Sequence, residues 1–179
     1  MLNWLRSDLS NKLIWWMKPS QHGDPVSELY AIIEHGAIPG ELPPYICGDR
    51  RSISFTETPL IQSARLLINA SNAGLNFIPY GFQFDRDGLY EKGARQTIHQ
   101  PPQEVELLPL SERYRHVDLI PNQGVDFTWK REWRLAEDKL QVDPGSCNLI
   151  LPDQEAYDQL VKKATSPLSF HVLLLEDLS

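Results

Sequence analysis

The segment DFTWKREWRL, residues 126–135, contains one glutamate, Glu132, with Lys130 two residues before it and Arg134 two residues after it. Apolar and polar residues alternate through FTWKREWRL, which is typical of a β-strand with one core face and one charged face. On such a strand both cations are neighbours of Glu132 and favour its ionised form. Glu132 is therefore either a carboxylate held ready for chemistry or a counter-charge on a solvent-facing strand.

A second group of basic residues lies in RYRH, residues 113–116. One basic patch of the kind that binds a pyrophosphate or a nucleic-acid backbone is predicted from Arg113, Arg115 and His116 together with Lys130, Arg131 and Arg134. Salt bridges to acidic neighbours such as Glu112 are the equal alternative. The patch interpretation requires these arginines to lie beside Glu132 at a cleft.

Two more residues are candidates for a cleft. His99 is the histidine best placed for catalysis, because RQTIHQ is predicted as a strand of a β-hairpin or long β-loop that can bring the imidazole to a cleft. Glu57, in SISFTETP, is either a second cleft carboxylate or the N-cap of the helix that follows Pro59. Two cysteines are too few and too far apart for a disulfide framework or a zinc site, so no metal is expected.

Composition limits the classes of function. The chain has 179 residues and a net charge of -7, which predicts one domain over residues 1–179 whose overall field repels nucleic acid and anionic membranes. Any polyanion must therefore meet a local basic patch. Charged residues interrupt the apolar N-terminal stretch MLNWLRSDLSNKLIWWM, so we expect neither a signal peptide nor a membrane span, and a cytoplasmic location.

The positioning elements follow from periodicity and from helix-capping residues. Helices are predicted at 24–35, 60–74 and 153–164, and strands at 11–19, 51–57, 80–85, 94–100, 126–135, 148–152 and 169–178. In the segment 104–121, a short helix is predicted at 110–114 and a strand at 116–120. Regular β-α-β alternation is absent, which predicts an α+β fold with a mixed, mostly antiparallel central sheet flanked by helices.

The order of three segments resembles the ADP-ribosyltransferase superfamily. These are LIWWMKP followed by the helix ELYAIIEHGAI, then SISFTETP, and then FTWKREWRL with its single glutamate. The opening strand and helix are similar to those of the DNA-modifying DarT toxins. SISFTETPL, YGFQFDRDGLYEKGARQTIHQ and WKREWRL together resemble, over most of residues 12–152, uncharacterised bacterial proteins linked with abortive phage infection (the AbiGi type).

The resemblance implies a split sheet, NAD as the substrate and a role for each motif. Glu132 would orient the nicotinamide ribose and stabilise the oxocarbenium-like transition state, and Ser54 or Thr56 would be the middle-strand hydroxyl that positions it. Trp16 and Lys18 stand where the opening strand of the family carries a His or Arg, and Lys18 would contact a phosphate as a point charge.

Two hypotheses of different class follow. The first is an NAD-dependent transferase in phage defence or toxin biology, acting on a nucleic-acid or protein acceptor. The second is a non-catalytic module on the same scaffold that binds a nucleotide, a nucleic acid or a protein. The absent His or Arg favours the second hypothesis, and the retained FTETP and WKREWR favour the first. The most useful observation is whether Glu132, Ser54 and the region of Lys18 share one cleft.

Overall fold

The computed structural model describes residues 10–19, 23–68 and 77–178. Its helices are α1 (Pro25–His35), α2 (Leu60–Ile68), α3 (Arg86–Glu91) and α4 (Gln154–Lys163). Its strands are β1 (Lys12–Trp16), β2 (Ala37–Pro39), β3 (Ile53–Thr56), β4 (Gly81–Asp85), β5 (Arg95–Gln96), β6 (Ile98–Gln100), β7 (His116–Asp118), β8 (Glu132–Leu135), β9 (Lys139–Gln141), β10 (Cys147–Leu151) and β11 (Val172–Leu174). Short 3-10 helices connect several of them, at Pro102–Leu107, Leu110–Arg115, Pro121–Gln123, Thr128–Lys130 and Glu176–Leu178.

A seven-stranded sheet in the order β11-β10-β4-β1-β3-β8-β5 organises the described part of the chain. β10 and β11 are parallel, and the other neighbouring strands are antiparallel. The predicted α+β class with a mixed, mostly antiparallel sheet is confirmed. Two small two-stranded sheets, β2 with β9 and β6 with β7, lie outside it.

Helix ends follow from local capping residues. Asp24 accepts hydrogen bonds from the backbone N–H groups of Val26 and Ser27, and Pro25 occupies the first turn of α1. Gly36 ends this helix with a φ of 66°, a conformation that glycine adopts without strain. Asp153 caps α4 through the N–H of Ala156. These bounds agree with the sequence prediction, whereas the predicted extension of α2 to Gly74 lies outside the described residues.

The two faces of the central sheet pack against different helices. Leu13 and Phe55 belong to the larger core, to which α1 and α4 contribute their apolar faces. Ile14 and Trp16, on the other face of β1, pack with Ala64 of α2 in a smaller cluster. Because side chains alternate along a strand, Ile14 and Trp16 point toward α2.

The predicted strand over residues 126–135 is wrong in its first half. Thr128–Lys130 forms a 3-10 helix, Arg131 is left-handed with a φ of 45°, and only Glu132–Leu135 pairs in the sheet. Phe127 is 41% exposed and Trp129 is 44% exposed, so neither belongs to the core face that the alternation predicted. The turn places Glu132 at the first position of β8.

The predicted hairpin of residues 80–100 is also wrong. RDGLYE forms α3, because Asp85 caps it through the N–H of Gly88. β4 then pairs with β1 and β10 in the centre of the sheet, while β5 pairs with β8 at its edge. His99 lies on β6, which is parallel to β7, instead of on a hairpin. The 3-10 helix at 110–115 and the strand at 116–118 agree with the prediction for that region.

Gly81 in β4 has no room for a side chain. A Cβ atom there would lie 2.1 Å from the carbonyl oxygen of Trp15 on the neighbouring strand. We expect Gly81→Ala to lower the free energy of unfolding by about 3 kcal/mol, measured by chemical denaturation, because the backbone of a central strand must move. Gly88→Ala in α3, where the nearest atom is 4.0 Å away, should cost nothing and is the control. Equal denaturation midpoints for Gly81→Ala and the wild type would contradict the clash.

In residues 10–19, 23–68 and 77–178, no helix is long and apolar enough to span a membrane.

Candidate functional site

A pocket of about 180 Å³ opens on the α2 face of the central sheet. Its floor comes from three adjacent strands, and Trp16 of β1, Ser54 and Thr56 of β3 and Glu132 of β8 all line it. Lys18 lines the same pocket. The structure therefore brings together five of the residues selected from the sequence, and Glu132, Ser54 and Lys18 share one cleft.

Strand pairing places the Glu132 side chain. Thr56 is the register partner of Glu132, and Ile14 is the partner of Thr56 across β3, so the three residues form one row over the strands. Directly paired residues of antiparallel strands project to the same face. The carboxylate consequently lies at the pocket, with its side chain 18% exposed.

Arg134 orients the Glu132 carboxylate through a hydrogen bond. Its Nε donates to Oε1 of Glu132 at 2.7 Å, and its Nη1 donates to the carbonyl oxygens of Tyr114 and His116. Arg134 is 3% exposed. The expectation of a solvent-facing charged strand is wrong here, because the polar face of β8 is covered by the 110–118 segment. Arg134 orients Glu132 and is not part of a surface patch.

The two candidate hydroxyls differ in their contacts. Thr56 Oγ1 donates to the backbone carbonyl of Lys130 and also accepts from the N–H of Thr58 at 3.1 Å. The hydroxyl of Ser54 is exposed, and none of the described residues forms a hydrogen bond with it. Thr56 therefore fixes the turn before Glu132, whereas Ser54 is the hydroxyl available to a ligand.

Glu57 fixes the same turn from the opposite face of the sheet. It is 2% exposed, and its carboxylate accepts hydrogen bonds from Arg131 at 3.0 Å, Arg86 at 3.1 Å and Trp133 Nε1 at 3.3 Å. The backbone N–H of Glu57 also donates to the carbonyl oxygen of Arg131. Glu57 is neither an N-cap nor a pocket carboxylate. It holds the left-handed residue that precedes Glu132.

Lys18 occupies another part of the pocket lining, with Glu41 and Tyr45. Its Nζ forms an ion pair with Glu41. Burial acts to lower the pKa of Lys18, but the hydrogen bonds and charges of Glu41 and Tyr45 outweigh it and raise that pKa. Lys18 is therefore a protonated amine that already has a counter-charge.

Lys130 is a second pocket cation, and its surroundings are aromatic. Its Nζ lies 4.7 Å from the ring centroid of Phe127, 5.5 Å from that of Phe77 and 5.6 Å from that of Trp129. We call these three rings the Lys130 cage. Burial lowers the pKa of Lys130, and the charge of Arg134 acts in the same direction against that of Glu132.

His99 does not line the pocket, although the charge of Glu132 acts on it. Burial lowers the pKa of His99, and its Nε2 is buried without a hydrogen-bond partner among the described residues. Its β-strand pairs it with Val117 of β7. The structure thus places the imidazole near the carboxylate but outside the cavity that a ligand would enter.

Arg113 and Arg115 lie outside the pocket lining. Arg113 donates to the carbonyl oxygens of Leu108 and Glu106, so it stabilises the 102–115 segment. Arg115 pairs with Glu112 at 2.7 Å and donates to the carbonyl oxygen of Gln96. The salt-bridge alternative therefore describes Arg115, whereas Arg113 is bound by backbone carbonyl oxygens, and the predicted patch with Arg134 does not form.

Sequence reasoning missed the buried role of Glu57 and the Lys130 cage. The signal for Glu57 was present, because it shares strand phase with Ile53 and Phe55 of the core face. No local signal marks the cage, whose ring from Phe77 is distant in sequence from Lys130. In the part of the chain that is described, no three His, Cys, Asp or Glu side chains converge as metal ligands.

The pocket lining thus combines the aromatic ring of Trp16, the hydroxyl of Ser54 and the carboxylate of Glu132 with two lysines, Lys18 and Lys130. Comparison with protein-family models, curated proteins and solved structures finds no match to this chain.

Proposed function

We propose that the protein is an NAD-dependent ADP-ribosyltransferase. One observation carries this proposal: Glu132, Ser54, Thr56, Trp16 and Lys18, which come from three separate segments, line a single pocket. These segments were selected from the sequence by their resemblance to the three motifs of that superfamily. The adjacency of β1, β3 and β8 supports the assignment, since a shared cleft is what the chemistry requires.

The reaction needs a carboxylate beside a sugar. The bond between C1 of the ribose and the nicotinamide nitrogen breaks, its electron pair leaves with nicotinamide, and positive charge develops on the ribose. Glu132, oriented by Arg134, would accept a hydrogen bond from a ribose hydroxyl and stabilise that charge. An acceptor nucleophile then forms the new bond to C1 and loses its proton.

The size of the pocket favours one half of the dinucleotide. About 180 Å³ is less than the roughly 300–1,000 Å³ of sites that enclose a whole small molecule. A ring and a ribose fit this space, with aromatic walls from Trp16, Phe77 and Trp129. The adenosine half would then extend beyond the cavity, and Ser54 would be a hydrogen-bond partner of the bound half.

The resemblance to abortive-infection proteins supports a setting in phage defence or toxin biology, in the cytoplasm, with a nucleic acid or a protein as the acceptor. The net charge of -7 makes contact with a nucleic acid depend on local cations of the pocket lining, such as Lys130.

The second candidate is a non-catalytic binding module with the same pocket. The observation that favours it is the opening strand, where Trp16 and Lys18 stand in place of a His or Arg and Lys18 is already paired with Glu41. Such a module would bind NAD or a related nucleotide without breaking it.

Two measurements on the wild-type protein test these candidates. A ligand that binds only the native state at 100 times its Kd stabilises that state by about 2.7 kcal/mol, so millimolar NAD should raise the melting temperature by several degrees. Under the transferase proposal the same sample also releases nicotinamide, measured by chromatography with nucleic-acid and protein acceptors present. A thermal shift without nicotinamide supports the binding module. If the sample shows neither a thermal shift nor nicotinamide release, both candidates are contradicted.

A further inference from the structure

Three aromatic rings surround the amine of Lys130, whose side chain lines the pocket. The rings of the Lys130 cage approach Nζ at 4.7–5.6 Å. Aromatic faces attract a cation, so the cage stabilises the protonated amine, but they offer no strong hydrogen-bond acceptor to its N–H groups. Within residues 10–19, 23–68 and 77–178, no oxygen atom accepts a hydrogen bond from Nζ and no carboxylate forms an ion pair with it. Lys130 can therefore donate to a ligand.

The other charged side chains of the described pocket lining already have counter-charges. Lys18 pairs with Glu41, and the carboxylate of Glu132 accepts a hydrogen bond of 2.7 Å from Arg134. Burial lowers the pKa of Lys130, whereas the charge of Glu132 and the aromatic rings favour the protonated form. Lys130 and Arg134 together carry two positive charges and Glu132 carries one negative charge, so this part of the pocket keeps one positive charge.

We propose that the pocket is a binding site for a small aromatic monocarboxylate. The carboxylate of the ligand accepts hydrogen bonds from Nζ of Lys130, and its ring packs against the aromatic side chains of the lining. This inference goes beyond the proposed function, because it concerns a ligand that does not react and uses no step of NAD cleavage.

The shape of the lining selects a flat ring. Trp16, Phe77 and Trp129 all line the pocket, and aromatic side chains pack favourably against another ring in offset or edge-to-face arrangements. The volume of about 180 Å³ suits one ring with its carboxylate, since sites for larger small molecules have roughly 300–1,000 Å³. The lining thus favours a ligand with a single ring.

The charge of the lining selects a monoanion. A carboxylate brings one negative charge to Lys130 and forms hydrogen bonds that are roughly twice as strong as those of a neutral acceptor. A phosphate ester with two negative charges would leave one of them unmatched in a pocket that also contains Glu132. An ammonium group would be repelled by Lys130.

The probe is 4-fluorobenzoate, and its neutral analogue 4-fluorobenzamide is the comparison, because the two share ring and outline and differ mainly in charge. Titrations of the wild-type protein followed by ¹⁹F NMR give both Kd values. We expect the Kd of 4-fluorobenzoate to be at least ten times lower at low salt, and the ratio to shrink at high salt, which screens the charge of Lys130. Trifluoroacetate, an anion without a ring, should bind at least ten times more weakly than 4-fluorobenzoate.

Two variants locate the bound acid. Lys130→Met keeps an unbranched apolar side chain beside the rings and removes the charge, so the two Kd values should become nearly equal. Lys139→Met, at an exposed lysine of β9, is the control and should keep the wild-type ratio. Trp129→Ala removes one aromatic wall and should weaken the binding of both ligands several-fold.

The wild-type titrations alone can overturn the proposal. A Kd of 4-fluorobenzamide equal to or lower than that of 4-fluorobenzoate would show that Lys130 does not select the anion, and trifluoroacetate binding as tightly as 4-fluorobenzoate would show that the rings do not select the ligand. A preference for the acid that persists in Lys130→Met, or unchanged affinities in Trp129→Ala, would place the ligand elsewhere on the protein and contradict the proposed site.

Discussion

Glu132→Gln should reduce nicotinamide release from NAD by at least about 100-fold, which is the size of effect expected when a charged group that stabilises a transition state is removed. The amide has nearly the shape of the carboxylate but cannot offset the positive charge on the ribose. NAD binding should change much less than turnover, because the ring and ribose still meet Trp16 and Ser54 in the pocket. Release of nicotinamide and binding of NAD are measured on the same purified protein.

The same change should also alter stability, because the partner of Glu132 is buried. Arg134 is 3% exposed, and Glu132→Gln replaces its charged acceptor with a neutral one. A hydrogen bond to a charged group contributes roughly 1.5–3 kcal/mol, so we expect a loss of about 1–2 kcal/mol in unfolding free energy. A counter-charge on an exposed strand, one of the two alternatives left open by the sequence, would have contributed roughly 0–1 kcal/mol.

Glu41→Gln is the matched control, since it removes the other pocket carboxylate and leaves the Arg134 pair intact. Its nicotinamide release should stay within a few-fold of the wild-type rate. A Glu132→Gln protein that turns over NAD as fast as the wild type would exclude Glu132 as the catalytic carboxylate.

Local sequence signals predicted the elements that carry the pocket floor. The apolar run of β1 and the alternation in β3 predicted two of its strands. Asp24 and Gly36 likewise predicted both ends of α1, which packs on the other face of the sheet. These features depend on residues that are close in the chain, such as a capping carboxylate and the N–H groups of the next turn. The confirmed α+β class rests on the same signals.

The turn before Glu132 was not predictable in this way. The alternation in FTWKREWRL matches a strand, and nothing in the segment itself requires Arg131 to be left-handed. That conformation is stabilised by Thr56 and Glu57, which contact Lys130 and Arg131 from β3 and from the residue after it. Contacts between residues more than 70 positions apart override a local preference.

The prediction of a basic patch was wrong for a related reason. Charge content predicted that Arg113, Arg115 and Arg134 share a surface, but a sequence does not show which guanidinium group finds backbone carbonyls inside the fold. Arg134 meets two such carbonyls, and Arg113 meets two others. Cations that satisfy the backbone are not available to a phosphate.

Glu57→Gln should be the most destabilising conservative change at the site. Its carboxylate is 3% exposed and lies between Arg86 and Arg131, whose side chains are 21% and 30% exposed. Removing one member of a buried ion pair typically costs about 3–5 kcal/mol, and partial exposure of both arginines places our expectation near 3 kcal/mol. Chemical denaturation measures this loss.

Glu112→Gln provides the surface comparison, because Glu112 pairs with Arg115 at 2.7 Å while its side chain is 38% exposed. That change should cost roughly 0–1 kcal/mol. Glu57→Gln replaces the charged acceptor shared by Arg86 and Arg131 with a neutral amide, so both guanidinium groups lose the counter-charge between them. If Glu57→Gln were as stable as Glu112→Gln, the buried carboxylate would not be what positions this turn, and the left-handed conformation of Arg131 would have to be held by the Thr56 hydroxyl and the β8 pairing instead.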